Sequence, residues 1–188
     1  MLQRLLLSLC LLFSFAVTAT TAQESVYERN GVPGEMSESR FVLIAARGPI
    51  ELHTRPDLRA PERSIPYQPG WRIPFGETLV RTLEVTEAST AKAGTVEVLC
   101  ERLEPRQLTL AAGEPWTYLQ QGYEGRGMAR IQGQVCEVPV LSREDVFGAK
   151  LKRPLAQWWV QLLYADGTSP GWLLVTPDTV TLRFLRCC

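Results

Sequence analysis

From Phe41 onward, apolar and polar residues alternate over short runs separated by turn formers. The period is two rather than 3.6, as half-buried strands require. Eleven runs carry it: 41–46, 49–54, 78–85, 94–100, 106–110, 116–121, 127–131, 134–138, 157–164, 171–175 and 179–185. In 78–85, Leu79, Arg81, Leu83 and Val85 share one side, with Thr78, Val80, Thr82 and Glu84 on the other. In 179–185, Val180, Leu182 and Phe184 lie opposite Thr181, Arg183 and Leu185. Many short strands and no convincing long helix argue against α/β architectures and predict an all-β chain.

Turn chemistry fits this pattern. Gln132-Gly133 between two runs predicts a tight hairpin, and Asp166-Gly167 predicts a stronger one, because glycine accepts a positive φ. Residues 54–74 hold Pro56, Pro61, Pro66, Pro69 and Pro74. Proline cannot donate to a ladder, so a long ordered loop is expected there rather than a central strand. Residues 141–154 have mixed charge and are expected to form one helical turn or an excursion. The polar stretch 23–40 has no period and is expected to be a mobile leader.

The stretch WWVQLLYADGTSPGW, from Trp158 to Trp172, is the most informative in the chain. Adjacent strand residues point to opposite faces, so one of Trp158 and Trp159 is expected in the core and the other on the surface. Trp172 is assigned to the core. A tryptophan-rich strand (Trp158-Trp159-Val160-Gln161), a glycine-containing turn (Asp166-Gly167) and a return strand opening on Gly171-Trp172 together resemble the distal hairpin of bacterial SH3-like domains. The resemblance is clearest over 157–185, with a fainter echo at 48–61 followed by Trp71-Arg72-Ile73. It implies small SH3-like barrels, two in tandem, at 41–112 and 113–188, divided near Ala111-Ala112-Gly113. A single β-sandwich is the alternative.

Composition narrows the function. The 188 residues are 45% apolar and carry 20 basic against 20 acidic side chains, so no strong field attracts nucleic acid or anionic lipid. Residues 1–22 have the form of a secretory signal: Arg4, an apolar stretch from Leu5 to Val17, and the small residues Thr20-Thr21-Ala22 before cleavage. That apolar stretch is too short to span a bilayer, and no later one is long enough. A periplasmic or secreted location is expected, with no transmembrane segment after cleavage.

Cys100, Cys136, Cys187 and Cys188 remain in the mature chain and allow three full pairings. Two pairings join the terminal cysteines to the interior. The third links Cys100 to Cys136 and leaves a strained vicinal ring at the C-terminus. At least one bridge from the C-terminus inward is expected. No Cys-x-x-Cys occurs and His53 is the only histidine, so neither a metal site nor a cofactor is expected.

His53 would have to act as base for any serine or cysteine hydrolase, but every mature cysteine follows it, and a solvent-facing strand end is the simpler expectation. Glu62, Glu84, Glu97, Glu114, Glu124 and Glu137 are scattered and fit solvated faces better than a glycosidase pair. The run from Gly122 to Gly127 lacks the Lys-Ser/Thr of a phosphate loop. There remains an aromatic surface: Tyr67, Trp71, Tyr118, Tyr123 and one of Trp158 or Trp159, with Arg55, Arg59 and Arg72 near in sequence. Flat aromatic faces stack on sugar rings and on proline-rich peptides. The leading expectation, in the class that the resemblance implies, is a non-enzymatic exported binding module. Its partner would be a cell-wall glycan such as peptidoglycan, a peptide or an envelope protein. An exported inhibitor or accessory subunit acting through 54–74 comes second, and a His53-dependent hydrolase third.

Overall fold

A computed structural model describes residues 26–32, 41–100, 104–122 and 125–184. The expected signal peptide, Tyr123, Glu124, Cys187 and Cys188 lie outside them. The described elements, in chain order, are β1 (Tyr27–Asn30), β2 (Phe41–Ala45), β3 (Ile50–His53), β4 (Glu62–Ile65), β5 (Arg72–Ile73), β6 (Phe75–Glu84), β7 (Thr86–Ser89) and β8 (Gly94–Cys100). Then follow β9 (Pro105–Leu110), β10 (Pro115–Gln121), β11 (Gly127–Ile131), β12 (Gln134–Val138), α1 (Glu144–Phe147), β13 (Leu155–Leu162), β14 (Gly171–Leu174) and β15 (Val180–Phe184). The chain is all-β, and each of the eleven periodic runs overlaps one of these strands, with β6, β9, β10 and β13 starting one to three residues before their runs. Residues 141–154 supply α1, the one α-helical turn among the described residues.

Among the described residues all strand pairing is antiparallel and falls into three sheets, ordered β1-β6-β13-β14-β3-β4, β7-β10-β11-β12-β8-β9 and β15-β2-β5. Two hydrophobic cores result. One is built by 43–80 and 158–180, with Leu43, Val80, Val160 and Leu173 at its centre. The other is built by 96–147, around Val98, Trp116, Ile131 and Phe147. The chain therefore forms an outer unit from two separated segments and an inner unit inserted between them. This replaces the expected division near 111–113: β9 and β10, on either side of that point, belong to one sheet. The real passage is at Val85, where β6 leaves the first sheet and β7 enters the second. Periodicity could not reveal it, because alternation continues across the junction. Between the units, the Thr82 hydroxyl donates to the Leu119 carbonyl at 2.8 Å, and Arg29 lies 4.0 Å from Glu137.

Residues 27–30, within the stretch expected to be a leader, form the edge strand β1, registered from Tyr27↔Thr82 to Asn30↔Leu79. Four residues are too few to stand out by period, yet Arg81 clamps Glu28 at 2.7 Å. In β6, Thr78, Val80 and Thr82 are buried, while the opposite Leu79 and Leu83 are half-buried. Between β1 and β13, the middle of this strand, Thr78 to Leu83, is buried on one face and half-buried on the other. The proline-dense 54–74 holds only the edge strand β4, bracketed by Pro61 and Pro66, and the two-residue β5, as proline's missing donor demands.

Both expected hairpins form. Gln132 and Gly133 have φ of 50° and 76°, the left-handed pair of a two-residue type I′ turn. Gly167 has φ of 81°, and Tyr164 N–H donates to Thr168 O at 2.8 Å, making a three-residue loop with glycine at its left-handed position. Cys100 and Cys136 are direct cross-strand partners on β8 and β12 and are bonded to each other. That bond takes both interior cysteines of the expected mature chain, and so corrects the expected bridge from the C-terminus inward: register, not chain position, chose the pair. Among the described residues no helix is long and apolar enough to cross a membrane.

Candidate functional site

The sequence Gln68-Pro69-Gly70-Trp71 builds the site locally. Proline at the second position and glycine at the third are what a type II turn requires. Gly70 has φ of 87°, and Trp71 N–H donates to Gln68 O at 3.1 Å. The turn is then fastened to β2: Gly70 N–H donates to Ala45 O, and Ala45 N–H to Trp71 O, each at 2.8 Å. Behind it, Gly48 packs so tightly that a Cβ there would overlap the Tyr67 carbonyl oxygen and lie 2.8 Å from its carbon. The backbone carrying Tyr67 and Trp71 is thus fixed from two sides.

The opposite wall comes from the hairpin between β13 and β14. Leu163 N–H donates to Pro74 O at 3.0 Å, which brings Tyr164 alongside. Asp166 braces the hairpin by accepting from the Thr168 amide at 2.9 Å and its hydroxyl at 2.7 Å. The side-chain bond first, and the backbone bond with it, hold its carboxyl below the usual range.

Between these walls lies a groove of about 660 Å³, lined by Tyr67, Trp71, Tyr164, Pro66, Pro74 and Arg72, with Ile65 and Gly70 completing it. Trp71 is 50% exposed and Tyr164 48%. The Tyr67 and Trp71 rings meet edge to face at 6.0 Å with planes 70° apart. Burial, and secondarily the neighbouring Tyr164, push the Tyr67 phenol up, so it stays a protonated donor. Arg72 makes no ion pair among the described residues.

Of the residues expected to bind ligand, the fold brings Tyr67 and Trp71 together and separates the rest. Trp158 and Trp159 are both sealed, at 6% and 0% exposure, correcting the expectation that one is free. Trp158 enters the outer-unit core. On the other face Trp159 meets His53 edge-on at 5.1 Å, and Arg81, on the same face one strand over, is tied to the Pro56 carbonyl. Tyr118 is buried in the inner unit beside Trp116. Arg55 and Arg59 lie 3.6 and 3.3 Å from Asp57 in the 54–60 loop, not at the groove. Trp172 is half-buried rather than core, and Leu173 takes the inward position. Gly171 is needed for closeness: a Cβ would stand 2.6 Å from His53 O.

His53 is also corrected. It is 5% exposed, not solvent-facing, with Nδ1 3.4 Å from Ala60 O and Nε2 3.7 Å from Glu62. Glu84 pairs with Lys152, and Glu137 with Arg126. No group of three metal-ligating side chains occurs among the described residues. Tyr164 is the groove residue that sequence reasoning missed, although its place just before the Asp166-Gly167 turn marks it as a hairpin-tip aromatic. No family model matches the chain, and the comparisons with curated proteins and with solved structures find no match either.

Proposed function

We propose that this chain is a non-enzymatic, exported binding module whose contact surface is the groove between Tyr67, Trp71 and Tyr164. The observation that carries the reading is the pair of half-exposed aromatics, Trp71 and Tyr164, held on braced backbone. Large apolar faces fixed in advance lose little entropy on binding, which is how aromatic platforms reach useful affinity. Export is supported by the form of residues 1–22 and by the Cys100–Cys136 bond, which suits an oxidising compartment. The resemblance of the β13–β14 hairpin to bacterial SH3-like domains supports a partner in the envelope: a cell-wall glycan, a peptide or a protein.

Cosedimentation of the mature protein with purified peptidoglycan and with envelope extracts tests this. Retention falls at least tenfold in Trp71→Ala and Tyr164→Ala and is unchanged in Leu58→Ala. Equal retention of all three variants overturns the groove as contact surface.

A second reading, an exported inhibitor or accessory subunit, is favoured by the 54–60 loop. Thr54 N–H donates to Pro61 O and Ala60 N–H to Asp57 O, and the loop presents Leu58 at its tip, 51% exposed. Loss of partner inhibition in Leu58→Asp, with groove variants unaffected, supports that reading over the first.

A further inference from the structure

The chemistry of the groove lining points to a single ligand class: we infer that it takes a proline-rich peptide segment in the polyproline II conformation, with an acidic residue flanking the prolines. This rests on the groove being the contact surface and goes further by naming the occupant.

The argument is one of donors and acceptors. The polar side-chain functions around the groove are the Tyr67 and Tyr164 phenols, the Trp71 indole and the Arg72 guanidinium. Indole and guanidinium are donors only, and the two phenol oxygens, which both donate and accept, are the only side-chain acceptors in the lining. No carboxylate or amide side chain lines the groove. The lining therefore favours a ligand rich in acceptors and poor in donors, because a buried donor without a partner costs the full desolvation of that group. A saccharide meets that demand less well, since its many hydroxyl donors would find only the two phenol oxygens as side-chain acceptors. A run of prolines meets it: proline has no N–H, and the polyproline II backbone leaves its carbonyls unbonded.

Shape agrees. Tyr67 and Trp71 stand 70° apart and form an angled notch rather than a flat shelf, while Pro66 and Pro74 add apolar walls. Proline rings on a threefold helix present ridges that fit aromatic notches, and the helix is already extended before it binds. Charge decides the flank. Arg72 at the groove has no acidic partner among the described residues, so a ligand carboxylate gains an ion pair and a ligand lysine is repelled.

The test uses the mature protein and four probes: an octaproline peptide flanked by two glutamates, the same peptide flanked by two lysines, a chitin tetrasaccharide and a soluble peptidoglycan fragment. Binding is followed by NMR of the Trp71 indole. The glutamate-flanked peptide is expected to saturate the Trp71 shift with about two- to five-fold higher affinity than the lysine-flanked one, a gap that narrows in salt. Arg72→Ala abolishes the gap, and Trp71→Ala weakens both peptides at least tenfold. Tyr164→Phe, which keeps the ring and removes the hydroxyl, weakens both by a smaller factor. Saturation by either saccharide probe with neither peptide bound overturns the ligand class and leaves the groove as contact surface. Failure of every probe to move Trp71 overturns the class and the groove together. Equal affinity for both peptides in the parent protein overturns the acidic flank.

Discussion

Reduction of the Cys100–Cys136 bond should loosen one core and spare the other. The cysteines are separated by 36 positions, and closing a loop of that size removes denatured-chain entropy equivalent to about 3.8 kcal/mol at 25 °C. The bond lies wholly within the inner unit, so its loss falls on β7 to β12. For a unit of this size each kcal/mol moves the thermal midpoint by about 4 to 8 °C, which predicts a fall of about 15 to 30 °C. The tryptophans are well placed to report it. Trp116 is the only one in the inner unit, buried against Phe147 at 5.1 Å, while Trp158 and Trp159 are buried in the outer unit. Fluorine NMR of fluorotryptophan-labelled protein, on a Cys187→Ser/Cys188→Ser background, follows each indole through a urea titration with and without reductant. Reduction should bring the Trp116 midpoint well below that of Trp159. If both indoles lose their native signals together in either redox state, or if reduction moves neither, the separation into two cores and the entropy argument both fail.

Two glycines at the groove differ in their reasons, and alanine separates them. Gly70→Ala meets nothing within 4 Å and carries only the left-handed strain, about 1–2 kcal/mol. Gly48→Ala forces the Tyr67 backbone aside, costs about 3 kcal/mol and abolishes the Trp71 response to ligand; urea midpoints and the peptide titration measure both. Trp159→Ala should cost about 3–5 kcal/mol as a fully buried truncation, whereas Trp71→Ala should stay within about 0.5 kcal/mol; equal urea midpoints would contradict the burial argument. Asp166 has a depressed carboxyl, held first by the Thr168 hydroxyl, so its stabilising effect is present above the ordinary value of 3.8 and is lost as pH falls through the lower folded value. Asp166→Ala should therefore be less stable than the parent at neutral pH, and the two melting curves should converge in acid.

Strand positions were legible because alternation is a local property, and the strands that escaped, β1, β4, β5 and β7, have two to four residues each. Pairing was not legible. That β6 lies against β13 is a relation between distant segments, which no local period encodes. The same gap explains the tryptophan doublet. Opposite faces were inferred correctly for Trp158 and Trp159, but an open second face was assumed, and His53 with the 54–60 loop closes it. In the groove, the Pro69-Gly70 turn that sets Trp71 beside Tyr67 was covered only by the reading of 54–74 as one long proline-dense loop. Tyr164 arrives from a hairpin far along the chain, brought there by the β6–β13 pairing and the Leu163–Pro74 hydrogen bond.

The nested connectivity dictates an order of assembly. Synthesis delivers all six inner strands before Leu155 exists, so the middle of the protein can mature, disulfide included, while β6 still lacks its main neighbour. Once formed, that middle holds the two halves of the outer sheet close, since Leu155 pairs directly with Glu84, and the remaining closure spans a short effective loop instead of the whole intervening chain. A nascent chain stopped before β13 would present an unprotected β6 edge, open to pairing with other chains. Residues 155–184 thus act as the latch that converts an adhesive intermediate into a paired outer sheet.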